Sequence, residues 1–184
     1  MLEKKLIKNA APTLAGLKTG NLFTCPYCSK AQACSMLRAL NTDFTKKGLR
    51  LTPLRFSDRR MLLYLYRPQR LKQDLADKKA GELLKNCGYC TKSAGDCVTQ
   101  LRRRLAENEE FPHEIGLFLG YPPEDVCGFI ENKAACAQCV GCWKVYGDVE
   151  SAKRKFAQYE KCTRVYNDLF DQGKRSLQQL TVAG

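Results

Sequence analysis

The stretch 49-LRLTPLRFSDRRMLLYLYR-67 decides the fold class. Leu49 and Leu51 alternate with polar neighbours, and the phase then shifts around Pro53 to Leu54 and Phe56. Proline has no N–H to give to a strand ladder, so Pro53 implies an edge position or a bulge. Ser57-Asp58-Arg59-Arg60 reads as a turn. In Met61–Arg67 the residues Met61, Leu63 and Leu65 fall on one face and Leu62, Tyr64 and Tyr66 on the other. A strand apolar on both faces is covered on both. The pair predicts an antiparallel hairpin whose second strand is central.

Helical signals lie on either side. Residues 2–9 suit two helical turns, and Pro12, Gly16 and Gly20 break regular structure after them. Asn21–Thr24 reads as a short strand. Ala33, Met36, Leu37 and Leu40 mark a helix over 29–41. Leu71, Leu75, Leu83 and Leu84 mark one over 69–86, weakened by Gly81, and Cys97, Val98, Leu101 and Leu105 one over 94–108. Pro112 and Gly120 bracket a short helix at 113–119. Pro122-Pro123-Glu124-Asp125 opens another, with acids at the positive end of its dipole. Ala152, Phe156, Tyr159, Thr163, Tyr166 and Phe170 step by four and three along one face, which predicts a helix over 148–172 ending at Gly173. Ser176 caps a last turn. The expectation is an α+β single domain over residues 1–184. Its small antiparallel sheet has three to four strands, 49–56, 61–67 and 142–146 among them. Several helices pack on it, including a long C-terminal one, and a Cys-rich loop occupies 133–142.

Composition narrows the class. No run of apolar residues is long enough to span a membrane, and the first residues lack the apolar core of a signal peptide. A cytoplasmic protein is expected. Eleven cysteines in such a chain point to metal, redox chemistry or burial rather than disulfides. The net charge is +12, and residues 44–72 hold nine Lys/Arg against Asp58 alone. Such a field attracts nucleic acid, through 46–72, or an acidic protein such as a flavodoxin. A solvated basic face is the plainer reading.

Residues 111–148 concentrate the chemically capable side chains: the only histidine (His113), the only tryptophan (Trp143) and Cys136, Cys139 and Cys142 in a C-x2-C-x2-C run. That spacing suits zinc or an iron–sulfur cluster, with Cys127 or Cys162 as a fourth ligand. A reduced, partly buried thiol cluster is the alternative. His113 is a candidate ligand or general base, with Tyr121, Asp125 or Glu131 brought near by folding; a structural histidine is the even alternative. Glu114 beside it makes no H-E-x-x-H signature, because position 117 is leucine.

Cys25-Pro26-Tyr27-Cys28, ahead of a helix, resembles the glutaredoxin active-site motif. The resemblance implies a thiol–disulfide oxidoreductase with Cys25 as nucleophile and Cys28 resolving. It is confined to the motif and the start of the helix.

A wider resemblance covers nearly the whole chain. FPHEIGLFLGYPPEDVCGFIENK, then GCWKVYGD, then a helix with F-x2-Y-x-K-C-T and a closing SLQQLTV resemble a bacterial family of uncharacterised proteins, domain of unknown function 3793 (DUF3793). APTLAGLKTGNLF and the ending LYLYRP fit it too. The resemblance implies a small cytosolic protein of anaerobes and carries no catalytic role with it. It moves weight to His113, Glu114, Tyr121, Glu124, Asp125, Trp143 and Tyr146 as binding residues. The expected function is a binding or accessory protein centred on 111–146, related to a metal or a redox partner, and enzymatic activity is not assigned.

Overall fold

The computed structural model describes residues 2–107 and 111–184. The end of the helix expected at 108 lies outside them. Three strands form the main sheet: β1 (Gly20–Pro26), β2 (Arg50–Ser57) and β3 (Arg60–Tyr66). The order is β1-β3-β2, antiparallel throughout. β3 is central, as its two apolar faces require. β2 is an edge strand, and its register shifts between Pro53 and Arg55, so Pro53 marks both an edge and a bulge. The extra residue turns Leu54 towards one side of the sheet and returns Phe56 to the side of Leu49 and Leu51. At the outer edge of β2, the Asn41 side chain accepts from Leu51 N at 2.9 Å and donates to Leu51 O at 2.8 Å. One amide thus makes the pair of bonds that a further strand would make. Asp58 and Arg59 both have positive φ (38° and 61°), the backbone of a two-residue hairpin turn.

One face of the sheet packs on α1 (Leu2–Leu14), α2 (Lys30–Lys46) and the C-terminal Leu177 and Leu180. Met61, Leu63 and Leu65 point into this core. The other face, with Leu62, Tyr64 and Tyr66, is covered by α3 (Pro68–Leu75), α4 (Lys78–Asn86), α5 (Ala94–Glu107), α6 (Ile115–Phe118) and α7 (Pro123–Glu131). The expected helix over 69–86 is thus two helices, because Asp77 caps a new one by accepting from Ala80 N. α1 runs past Asn9 to Leu14 through a non-helical Ala10. α8 (Val149–Asp171), capped by Asp148, lies against α1.

The expected third strand at 142–146 is not part of this sheet. β3 has β1 on one side and β2 on the other, so it has no free edge. Instead β4 (Cys139–Val140) pairs with β5 (Lys144–Val145) in a separate hairpin. Trp143, Val145, Ala152 and Tyr159 form a small core between that hairpin and α8. At the corner between α6 and α7, Gly120 has φ +74°, and a Cβ there would lie 2.6 Å from Thr19 Oγ1. Neither the backbone nor the space admits a side chain.

The basic run is partly internal. Arg67 is buried. It donates to Thr13 O (2.9 Å) through Nε, and to Leu14 O (2.9 Å) and Val182 O (2.8 Å) through Nη2. Lys47 Nζ donates to Thr181 O and Gln178 O, and Arg70 to Gly16 O. These three cations tie chain carbonyls together, which subtracts them from a nucleic-acid surface. No helix among the described residues is long and apolar enough to cross a membrane.

Candidate functional site

α6, α7 and the β4–β5 hairpin enclose a cavity of about 350 Å3, lined only by residues between Phe111 and Lys144. Its walls are mostly apolar, with Phe111, Tyr121, Phe129 and Trp143 supplying aromatic surface. His113, Asp125, Lys144 and the Tyr121 phenol are its ionisable lining groups. The His113 ring meets Phe129 edge-on at 5.2 Å. Trp143 stacks on Tyr121 at 4.9 Å and takes the Phe156 ring edge-on at 4.5 Å. Phe111 and Val140 are exposed, the latter by 69 %.

Asp125 holds this arrangement together. It lies in the first turn of α7 and is 3 % exposed. Oδ2 accepts from Trp143 Nε1 at 2.7 Å, and Oδ1 from Tyr146 N at 2.7 Å and Gly147 N at 2.8 Å. Three donors satisfy one buried carboxylate, which is how such a charge is tolerated. The Tyr146 ring lies against Gly128, where a Cβ would come within 2.5 Å of it. The Tyr146 hydroxyl is buried with no hydrogen-bond partner among the described residues. On the loop before β4, Lys133, Ala134 and Cys136 all have positive φ, a conformation non-glycine residues rarely adopt. Lys144 Nζ pins that loop by donating to Ala134 O at 2.6 Å.

The other expected site residues fall elsewhere. Glu114 points away from the cavity into the larger core. It is buried, accepts from Tyr89 OH at 3.0 Å and pairs with Arg104, which also donates to Cys87 O and covers the Tyr89 ring. Glu114 therefore anchors α6 to α5. Glu124 is exposed beside Gly147. The metal expected at Cys136, Cys139 and Cys142 is not supported by their placement. Among the described residues no group of three or more His, Cys, Asp or Glu side chains is arranged to hold an ion. The hairpin explains this: Cys139 packs with the Trp143 cluster, while Cys142 lines a different cavity beside Lys18 and Tyr159.

Cys25 is 1 % exposed within β1, and burial pushes its thiol up. Cys28 is exposed, and Ser29, not a cysteine, caps α2. A nucleophile needs the opposite setting, accessible and with a lowered pKa. Cys87 is likewise pushed up by burial and by Glu114.

Lys18 escaped sequence reasoning. It is 5 % exposed, yet no acceptor among the described residues reaches its ammonium. Two tyrosine rings do, Tyr121 at 5.0 Å and Tyr159 at 5.8 Å. Burial lowers its pKa from 10.5 to about 8, against an opposing effect of Cys142. Burial, with smaller effects of Cys142 and Tyr159, raises Tyr121 to about 12. A lone lysine between Gly16 and Gly20 gives no local signal of burial, because the two rings that cover it, Tyr121 and Tyr159, lie more than a hundred positions away.

No curated protein and no solved structure matches the chain. A family model described as "Protein of unknown function (DUF3793)" matches residues 6–181, so the motifs around His113–Asp125 and Trp143–Tyr146 sit in a chain that belongs to the DUF3793 family.

Proposed function

We propose that this chain is a binding or accessory protein whose ligand site is the aromatic cavity within residues 111–146. The observation that carries the reading is the cavity itself. It is about 350 Å3 in volume and aromatic-walled. The Asp125 bonds to Trp143, Tyr146 and Gly147 hold its walls in place. Ligand sites have this character: concave, mainly apolar, pre-formed, with few polar groups to set orientation, and volumes of roughly 300–1,000 Å3. The occupant is a small, flat, mostly apolar molecule, with the His113 imidazole as its hydrogen-bond partner. Exposed Phe111 and Val140 at the lining give a docking protein apolar surface to cover. The exposed Lys46, Arg50, Arg59, Arg60 and Lys72 suit an acidic partner of the flavodoxin kind.

Indole is a suitable probe, followed by isothermal titration. Saturable binding with a Kd below about 1 mM is expected, weakened about tenfold by Phe129→Ala through loss of one aromatic face. Absence of saturable binding, or binding indifferent to Phe129, removes the proposal. A thiol–disulfide oxidoreductase using Cys25 and Cys28 is the less supported reading, since Cys25 is shielded within β1.

A further inference from the structure

A second cavity, about 510 Å3, lies beside the first and shares Tyr121 with it. Lys18, Tyr159, Cys142, Asn21 and, from α8, Glu160 and Arg164 also line it. Its defining feature is Lys18, a residue only 5 % exposed whose ammonium has no ion-pair partner among the described residues. Burying an unpaired charge is costly, and proteins ordinarily pair it. The two tyrosine faces offset part of that cost. The N–H donors have no protein acceptor among the described residues and open on the cavity. Arg164, exposed on α8, also has no ion-pair partner among the described residues. The Thr13 hydroxyl donates to Asn21 Oδ1 at 2.7 Å, which fixes the amide and leaves its NH2 group as the remaining donor.

We propose that this cavity binds the carboxylate of a small aromatic acid, with the Lys18 ammonium as counter-ion. One buried ammonium matches a single negative charge. A phosphate dianion is ordinarily met by a run of backbone N–H groups at a helix start or a nest, and the α8 lining residues come from Tyr159 onward, well past that helix's first turn. Tyr121 and Tyr159 provide flat walls for a ring. The site is independent of the aromatic cavity and stands or falls without it.

The charge of Lys18 makes the site pH-dependent. Lysine carries its charge below its pKa, about 8 here, so affinity is full below that pH. It falls as pH rises through it, by up to about tenfold per unit. The other titratable groups facing the ammonium are Cys142, Tyr121 and Tyr159, all pushed up by burial. Glu160 and Arg164 are the remaining charged lining groups.

Benzoate is the probe, titrated calorimetrically into the full chain at pH 7.0 and pH 9.5. Saturable binding at pH 7.0 is expected, at least about tenfold weaker in Lys18→Met and about threefold weaker in Arg164→Gln, whose exposed position spares the fold. Wild-type affinity is expected to drop about tenfold or more at pH 9.5. Benzoate binding equal in Lys18→Met assigns the ligand to the neighbouring cavity and overturns the proposal. So does equal affinity at the two pH values, which decides the matter even where Lys18→Met does not fold. Inorganic phosphate binding as tightly as benzoate overturns the carboxylate assignment.

Discussion

Replacing Asp125 by asparagine is the sharpest test of how the aromatic cavity is built. The amide keeps an oxygen for Tyr146 N and Gly147 N, but its NH2 group then faces Trp143 Nε1–H, and two donors meet. Bonds to a charged acceptor contribute about 1.5–3 kcal/mol and neutral ones about 0.5–1.5. Two bonds therefore weaken, and a buried indole N–H loses its acceptor at a cost of about 1–3 kcal/mol. The sum is roughly 3–6 kcal/mol of stability. For a chain of this size 1 kcal/mol moves Tm by about 2–4 °C, so a fall of about 6–24 °C is expected. Trp143 is the only tryptophan, and its fluorescence reports unfolding and the state of the clamp together. Trp143→Phe removes the donor instead, and the double variant should recover about 1–2 kcal/mol of coupling. An Asp125→Asn variant within about 0.5 kcal/mol of wild type, or strict additivity in the cycle, would refute the clamp.

Two more outcomes rest on buried groups. Arg67→Lys replaces a fork that reaches Thr13, Leu14 and Val182 carbonyls with a single ammonium. A loss of about 2–4 kcal/mol is expected, together with faster amide exchange at Val182, whose N–H bonds Leu14 O; unchanged exchange there would count against the hub. Iodoacetamide at pH 8 should alkylate exposed Cys28 well before buried Cys25. Mass-spectrometric mapping that finds Cys25 modified first would reverse the order and revive the thiol-exchange reading.

The hairpin at 49–67 was readable because alternation and its interruption are local. Pro53 announced an edge and a bulge, and both are present. Only residues 21–24 of β1 carry a local strand signal, and the strand's place beside β3 depends on pairing that no local pattern encodes. The 142–146 segment pairs in a separate hairpin rather than in the main sheet. Its β-forming residues are real, but partner choice was settled by Cys139–Val140, a few residues away, and by Asp125. The break at Asp77 went unread because Leu71, Leu75, Leu83 and Leu84 keep helical spacing across it. At the site, His113, Tyr121, Asp125 and Trp143 meet at one cavity, whereas Glu114 turns inward although it is next to His113. Adjacent residues on a turn diverge, and Glu114 is the one that meets Arg104 and Tyr89. The C-x2-C-x2-C spacing falls on a two-strand hairpin, with Cys139 in the Trp143 cluster and Cys142 on the cavity beside Lys18.

The Asn41 amide that bonds both backbone groups of Leu51 has a colloidal consequence. A three-stranded sheet exposes an outer strand on which a second molecule can template its own, the first step of ordered aggregation. Here one side chain occupies the pairing position at Leu51, and Pro53, two residues on, has no N–H to offer. A stranger's strand finds neither a docking start nor a continuous ladder. Both features make the β2 border of this tyrosine- and leucine-rich hairpin a poor template for a second copy's strand.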